Sequence, residues 1–224
     1  DLLELDGVHE ASPNLSIIRS LWEQHGGISR CKATLPAPYV PISTSWSDYL
    51  NSLKPKLRSD TARRVRRLER LGVIEFQQPE DQETAVHLLE VLASQKSPRY
   101  RTTGARDILS NGATLKFFKD AVRSLWPLGL AHLSCIRVDG KPVAVHFGFI
   151  YRGKYFYYMP SFDLKFGPYS VGRILNYHLL EMSFLGSLDE FDFLVGADAY
   201  KYEWTNREKV LYRLVSYRMT PKGV

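Results

Sequence analysis

The sequence predicts an α/β (α+β) fold, a mixed and mostly antiparallel twisted sheet flanked by helices. Three observations predict it. The runs "LAHLSCIRV", "KPVAVHFGFIY" and "KYFYYMP" are strand-like and are separated by Asp139-Gly140 and Arg152-Gly153, the turn chemistry of tight hairpins. A helical pattern over residues 171–185 then leads to another strand-like run, "EFDFLVG"; a crossover helix after a meander makes the sheet mixed. Helical periodicities fill most of the stretch before the meander.

Each element has its own signal. "DLLELDGV" reads as a strand. "SPNLSIIRSLWEQHGG" reads as a helix with Ser12 as N-cap, Pro13 at the first position and Gly26-Gly27 as the stop. "LPAPYVPIS" is too rich in proline to be helical and reads as a crossing segment. Residues 47–53 form a short helix. Leu57, Thr61, Val65 and Leu68 recur at helical spacing, so residues 56–71 form an amphipathic helix that Gly72 ends. "VIEFQQ" is a short strand, and residues 82–93 and 115–125 are helices. "SPRYRTTGAR" (97–106) between them reads as a polar, basic loop. In the helix over 171–185, Ile174, Leu175, Leu179, Met182 and Leu185 face inward, and Gly186 caps it. "KVLYRLVSYR" is the last strand.

The chain has 224 residues, 44% hydrophobic and 24% charged, which suits one large domain or a domain with part of another. Folding a chain of this size buries roughly 70% of its unfolded surface. Cys31 and Cys135 are far apart and form no CxxC pair, which argues against a cysteine zinc site and a disulfide framework. A reducing, cytoplasmic setting is the expectation. The longest apolar stretch, residues 142–151, is interrupted by His146 and is about half a membrane span. No secretory leader is visible, and a chain that starts at Asp1 is expected to be a piece of a longer protein. The net charge is +6. Residues 54–73 hold Lys54, Lys56, Arg58, Arg63, Arg64, Arg66, Arg67 and Arg70 against Asp60 and Glu69, which is the whole surplus. This one segment suits an anionic partner, a nucleic acid or a phosphorylated cofactor, with a solvated helix face as the alternative.

Chemistry has few places to sit. "GPYSVGR" joins a strand to a helix, where unpaired N–H groups and the helix dipole can hold a phosphate, with Gly172 allowing close approach and Arg173 adding a cation. An ordinary serine N-cap would read the same way. Asp198, Tyr200, Lys201 and Glu203 cluster after a strand end; a tyrosine beside an ammonium can act as a general acid, or the cluster is a polar loop with a Lys–Asp pair. Asp163 can hold or deprotonate an amine, or simply make a turn. His146 lies on the strand face opposite Val143, Val145, Phe147 and Phe149 and reads as a packed, hydrogen-bonded residue. Cys135 reads as a core residue. The six histidines show no metal spacing, so no metal is expected. With no GxSxG elbow and no P-loop, nucleophilic hydrolases and NTP-driven enzymes are disfavoured.

Three stretches together resemble the CelD-like, FemAB-related branch of the GNAT acyltransferases. They are "YLNSLKPKLRSDTARRVRRLERLG", "DGKPVAVHFGFIYRGKYFYYMPSFDLKFGPYSVGRIL" and "FDFLVGADAYKYEW", and the resemblance covers roughly residues 46–205. It implies that residues 46–224 form a GNAT-like domain and that residues 1–45 are the C-terminal part of a preceding GNAT-like fold or a linker. It places Tyr169, Ser170, Val171, Gly172 and Arg173 in an acyl-CoA phosphate loop. Asp163 then matches the acidic residue after the fourth strand, and Asp192, Gly196, Tyr200 and Lys201 match the third motif. Departures are Val171 for the usual Pro, Val195 for Arg, Ala197 for Asp, Asp198 for Glu and Ala199 for Pro. The implied activity is transfer of an acyl group from acetyl-CoA or another acyl-CoA to the amine of a small molecule, glycan or peptide, in polysaccharide or cell-envelope synthesis. Asp163 or Asp198 would serve the amine, and Tyr200, beside Lys201, the leaving thiolate. The resemblance also leaves open an aminoacyl-tRNA donor, met by Arg63, Arg64, Arg66 and Arg67. Val195 and Ala197 motivate a third expectation, a non-catalytic envelope module.

Overall fold

The computed structural model describes residues 2–103 and 107–218. The chain divides into two compact units, Asp1–Val40 with Phe193–Val224, and Pro41–Asp192.

The first unit is drawn from both ends of the chain. Strands β1 (Leu2–His9) and β2 (Ile28–Ala33) flank β10 (Leu211–Tyr217), antiparallel to both. Helix α1 (Pro13–Gln24) begins as expected, with the Ser12 hydroxyl accepting from the Asn14 amide and proline at the first turn. The prolines of "LPAPYVPIS" do exclude a helix, but the segment is not merely a crossing: Ala37–Pro41 is a strand, β3, paired at Ala37 and Pro38 with β9 (Glu208–Lys209). Strand β2 carries little periodic signal and was not expected.

The second unit is built on five strands in the order β4-β5-β6-β7-β8. Strands β4 (Ile74–Gln77), β5 (Ala131–Val138), β6 (Lys141–Tyr151) and β7 (Lys154–Phe162) form antiparallel ladders. The residues at both expected hairpins have positive φ, Asp139 47° and Gly140 74°, Arg152 47° and Gly153 72°, as a two-residue turn matched to strand twist requires. Helix α6 (Val171–Leu185) then carries the chain to β8 (Glu190–Asp192), parallel to β7. On one face of the sheet, Leu133, Cys135, Val145 and Phe147 pack with Leu88, Leu89 and Leu92 of α4 (Gln82–Thr103) and Phe118 and Val122 of α5 (Gly112–Leu125). The other face presents the alternate residues, and α6 buries Ile174, Leu175 and Leu179. Helices α2 (Trp46–Ser52) and α3 (Pro55–Glu69) complete the unit.

Two expectations need correction. The basic stretch 97–106 is not a loop as far as it is described: α4 continues through Pro98 to Thr103, and residues 104–106 lie outside the described residues. Side chains just before the proline tie that helix to the sheet, Lys96 Nζ donating to the Pro160 carbonyl at 3.1 Å and Gln95 Nε2 to that of Pro142 at 3.0 Å, so tertiary contacts override local propensity. The strand expected over "EFDFLVG" is only three residues long, because Leu194 and Gly196 turn the chain with φ of 59° and 121°.

Candidate functional site

Strand β8 accompanies β7 for three pairs only, Lys154↔Glu190, Tyr155↔Phe191 and Phe156↔Asp192, while β7 runs on to Phe162. The parallel ladder therefore ends at Phe156, six residues before the end of β7. The opposite neighbour, β6, is out of step at the same level, with a register shift between Phe147 and Phe149.

The end of β7 leads into the predicted phosphate loop. The Asp163 carboxylate accepts from the Lys165 amide at 3.0 Å and opens a 3-10 turn, Leu164–Tyr169; this is the turn role foreseen as its alternative. Ser170 follows in the left-handed region, φ 55° and ψ 44°, and α6 starts at Val171. The serine is at the N-cap position, but its hydroxyl caps nothing. It accepts instead from Arg64 Nη1 of α3. The Arg173 and Ile174 amides use the Ser170 carbonyl, at 2.9 and 3.3 Å, and among the described residues no acceptor meets the Val171 and Gly172 amides. A Cβ on Gly172 would meet only Phe162 Cδ1, at 3.8 Å, so the outer side of the turn is clear for an incoming group.

The basic helix is part of this loop's surroundings. Asp60 Oδ2 accepts from Arg64 Nε and from Arg173 Nη1, both at 2.7 Å, and Oδ1 accepts from Arg63. Hydrogen bonding from Arg64 above all holds the Asp60 carboxyl below the usual carboxylate range. The Arg67 guanidinium sits over the Tyr169 ring, 5.6 Å from its centroid. One carboxylate thus gathers three guanidiniums at the open start of a helix, leaving a local positive surplus that suits a phosphate. Asp60 was missed in the sequence, although its spacing to Arg63 and Arg64, i+3 and i+4 on a helix, is a readable signal.

Asp198, Tyr200 and Lys201 belong to the first unit. Lys201 is 4% exposed. Its ammonium donates to the carbonyls of Val195 (3.0 Å), Gly196 (3.1 Å) and Leu194 (3.3 Å) and lies 3.2 Å from Asp198 Oδ2. The foreseen Lys–Asp pair is therefore present, and the ammonium is spent on shaping the chain reversal over 194–196. Tyr200 and Val195 are exposed, at 40% and 53%. His146 is buried and hydrogen-bonded, stacked on Tyr157, and Cys135 is in the core. Among the described residues no group of three or more His, Cys, Asp or Glu side chains could hold a metal, and no helix is long and apolar enough to cross a membrane.

The fold is shared with solved structures. FemX matches with a TM-score of 0.68 over 97% of this chain and 72% of its own, at 13% identity. L-PGS from Bacillus licheniformis matches with a TM-score of 0.61 over 99% and 69%, at 15% identity. A conserved protein of unknown function from Bacteroides thetaiotaomicron matches with a TM-score of 0.62 over 96% and 69%, at 14% identity. At these identities the likeness establishes architecture alone. No curated protein matches the sequence. The family model of the acetyltransferase (GNAT) domain matches residues 55–202, a span that begins with the basic helix, includes the splayed β7–β8 pair and the loop at α6, and ends just past Lys201. With more than half of its length in that match, the chain belongs to the GNAT acetyltransferase-domain family.

Proposed function

We propose that the chain is an N-acyltransferase that moves an acyl group from an acyl-CoA thioester, acetyl-CoA or a longer homologue, to an amine. The observation that carries this reading is the set of polar groups at the start of α6: Arg64 on Ser170, Arg173 and Arg64 on Asp60, and two first-turn amides with Gly172 beside them. These groups would take the pyrophosphate of the donor. The edge of β7 past Phe156 would take its extended amide-bearing arm as a strand takes a peptide. The amine nitrogen attacks the thioester carbonyl, the C–N bond forms, the C–S bond breaks, and the thiolate leaves with a proton. Positioning supplies most of the rate, and a backbone N–H polarises the carbonyl. Asp163 or Asp198 serves the amine and Tyr200 protonates the thiolate. Lys201 positions residues 194–196 and takes no part in the proton transfer. Following the family resemblance, the acceptor is an amine of a small molecule, glycan or peptide in polysaccharide or envelope synthesis.

A second reading keeps the chemistry and changes the donor to an aminoacyl-tRNA. The exposed Arg63 and Arg66, on the helix that also reaches the loop, favour it.

Calorimetric titration with acetyl-CoA and a long-chain acyl-CoA, with Gly172→Glu as control, tests the proposal. Micromolar binding that the control abolishes supports it. No heat with either donor, together with tRNA binding that weakens steeply with salt, moves the assignment to the second reading. No binding of any of them leaves a non-catalytic module.

A further inference from the structure

Three polar side chains meet inside the larger unit, away from the start of α6. The Tyr155 hydroxyl on β7 lies 2.9 Å from Nδ1 of His132 on β5 and 2.9 Å from Nδ1 of His146 on β6. Tyr155 and His146 are fully buried and His132 is 8% exposed. A hydroxyl has one proton. It can donate to one Nδ1 only, so with its proton used inside the group the other Nδ1 donates to it. Two neutral imidazoles paired in this way hold opposite tautomers, one Nδ1–H and one Nε2–H, and among the described residues neither Nε2 meets a partner. Burial keeps both neutral: it depresses His132 to about 4 and His146 well below the ordinary imidazole value.

The packing around the three is equally specific. Tyr155 stacks on Phe191 of β8, with centroids 5.0 Å apart and planes at 14°, and His146 stacks on Tyr157 at 4.4 Å and 15°. A Cβ on Gly148 would lie 2.6 Å from His146 Cε1 and 2.5 Å from the Phe156 carbonyl oxygen; this glycine gives the imidazole its place where the β6–β7 register shifts. Tyr155↔Phe191 is the middle pair of the short β7–β8 ladder, and Tyr157 is the first β7 residue beyond it. The side chains thus link four strands at the level where the fourth departs.

We propose that His132, Tyr155 and His146 form an uncharged brace of fixed polarity that positions β7 where β8 leaves it, making all three positioning residues for the thioester donor. The donor part of this inference rests on the function proposed above. The brace keeps the strand edge in register without a charge that would draw water into the sheet.

Nitrogen-15 NMR of the full chain labelled at histidine reads the tautomers directly, the two buried rings being assigned through contacts to Tyr155 and Tyr157. One Nδ1–H ring and one Nε2–H ring are expected. Two rings of the same tautomer, or a charged ring at pH 7, would overturn the brace. Calorimetry with acetyl-CoA reads the positioning. Tyr155→Phe should lose the opposed tautomers and bind about tenfold or more weakly. If Tyr155→Phe does not fold, His132→Asn, whose amide reaches the place of Nδ1, should keep binding while His132→Leu loses it. Unchanged binding in Tyr155→Phe or His132→Leu would overturn the positioning role. A wild-type chain with opposed tautomers that binds no acetyl-CoA would remove the donor reading and its positioning role, and leave the brace established.

Discussion

Arg64 of the basic helix donates to the hydroxyl of Ser170, the left-handed residue that opens α6. Its Nε also donates to Asp60 at 2.7 Å, so the guanidinium is held at two points and loses little freedom on meeting an anion. Arg64→Gln should therefore weaken acetyl-CoA binding about tenfold, or ~1.4 kcal/mol. Arg70→Gln, on the exposed end of the same helix, should change it by less than about twofold. Equal losses in calorimetry would mean that only the net charge of α3 matters.

The Lys201 ammonium should act through the fold of its loop. Lys201→Met leaves three carbonyls around Leu194, Val195 and Gly196 without their donor and should cost about 2 kcal/mol of stability. Urea denaturation measures this. An unchanged midpoint together with a shifted pH–rate profile would return Lys201 to the proton transfer.

Two glycines should respond in opposite directions to the same added methyl. Gly148→Ala forces a Cβ against the Phe156 carbonyl and the His146 ring and should destabilise by about 1–3 kcal/mol. Gly112→Ala, in the first turn of α5 with nothing within 4 Å of the new atom, should stabilise by about 0.5 kcal/mol. Thermal melts of the pair decide; a tolerated Gly148→Ala would show that the sheet gives way easily there.

Acid should unfold the larger unit earlier than carboxylates alone would. Both buried imidazoles have depressed affinity for protons, His132 down to about 4, with Lys96 and His132 adding to the depression at His146. In the unfolded chain they titrate near 6.5. Below that pH the unfolded chain binds more protons, so stability is fully present above about pH 7 and falls as pH drops toward 4, by up to about 3 kcal/mol from His132 alone. Denaturant unfolding at pH 7 and pH 5 measures the slope, which His132→Asn should reduce. A flat profile would contradict the buried, neutral state.

Much of the fold could be read in advance, because it is written locally. The hairpin turns Asp139-Gly140 and Arg152-Gly153, the Ser12 cap and the extent of α6 each depend on a few adjacent residues. The loop at Tyr169–Arg173 could be read as the turn into α6 from its glycine and its place after the strand, and its phosphate role is a proposal. Its serine could not be read, because sequence does not show that the hydroxyl turns away from the helix toward Arg64. The basic run looked like a free anion-binding face; Asp60, its neighbour at helical spacing, ties part of it to α6. The His132–Tyr155–His146 group draws on three strands, and strand alternation gives the side of the sheet but not the partner. Helix α4 continues past Pro98 because side chains before the proline reach the sheet, which no local rule contains.

Strand β10 lies between β1 and β2, and this order has a consequence for synthesis. On the ribosome the first two strands emerge early, and the strand that separates them emerges only after the whole larger unit. Until then each exposes an open edge able to pair with another chain. The three-stranded sheet thus closes only after the larger unit has emerged, and its closure over so long a loop is slow. Nascent chains stalled before Leu211 should be the ones that need a chaperone.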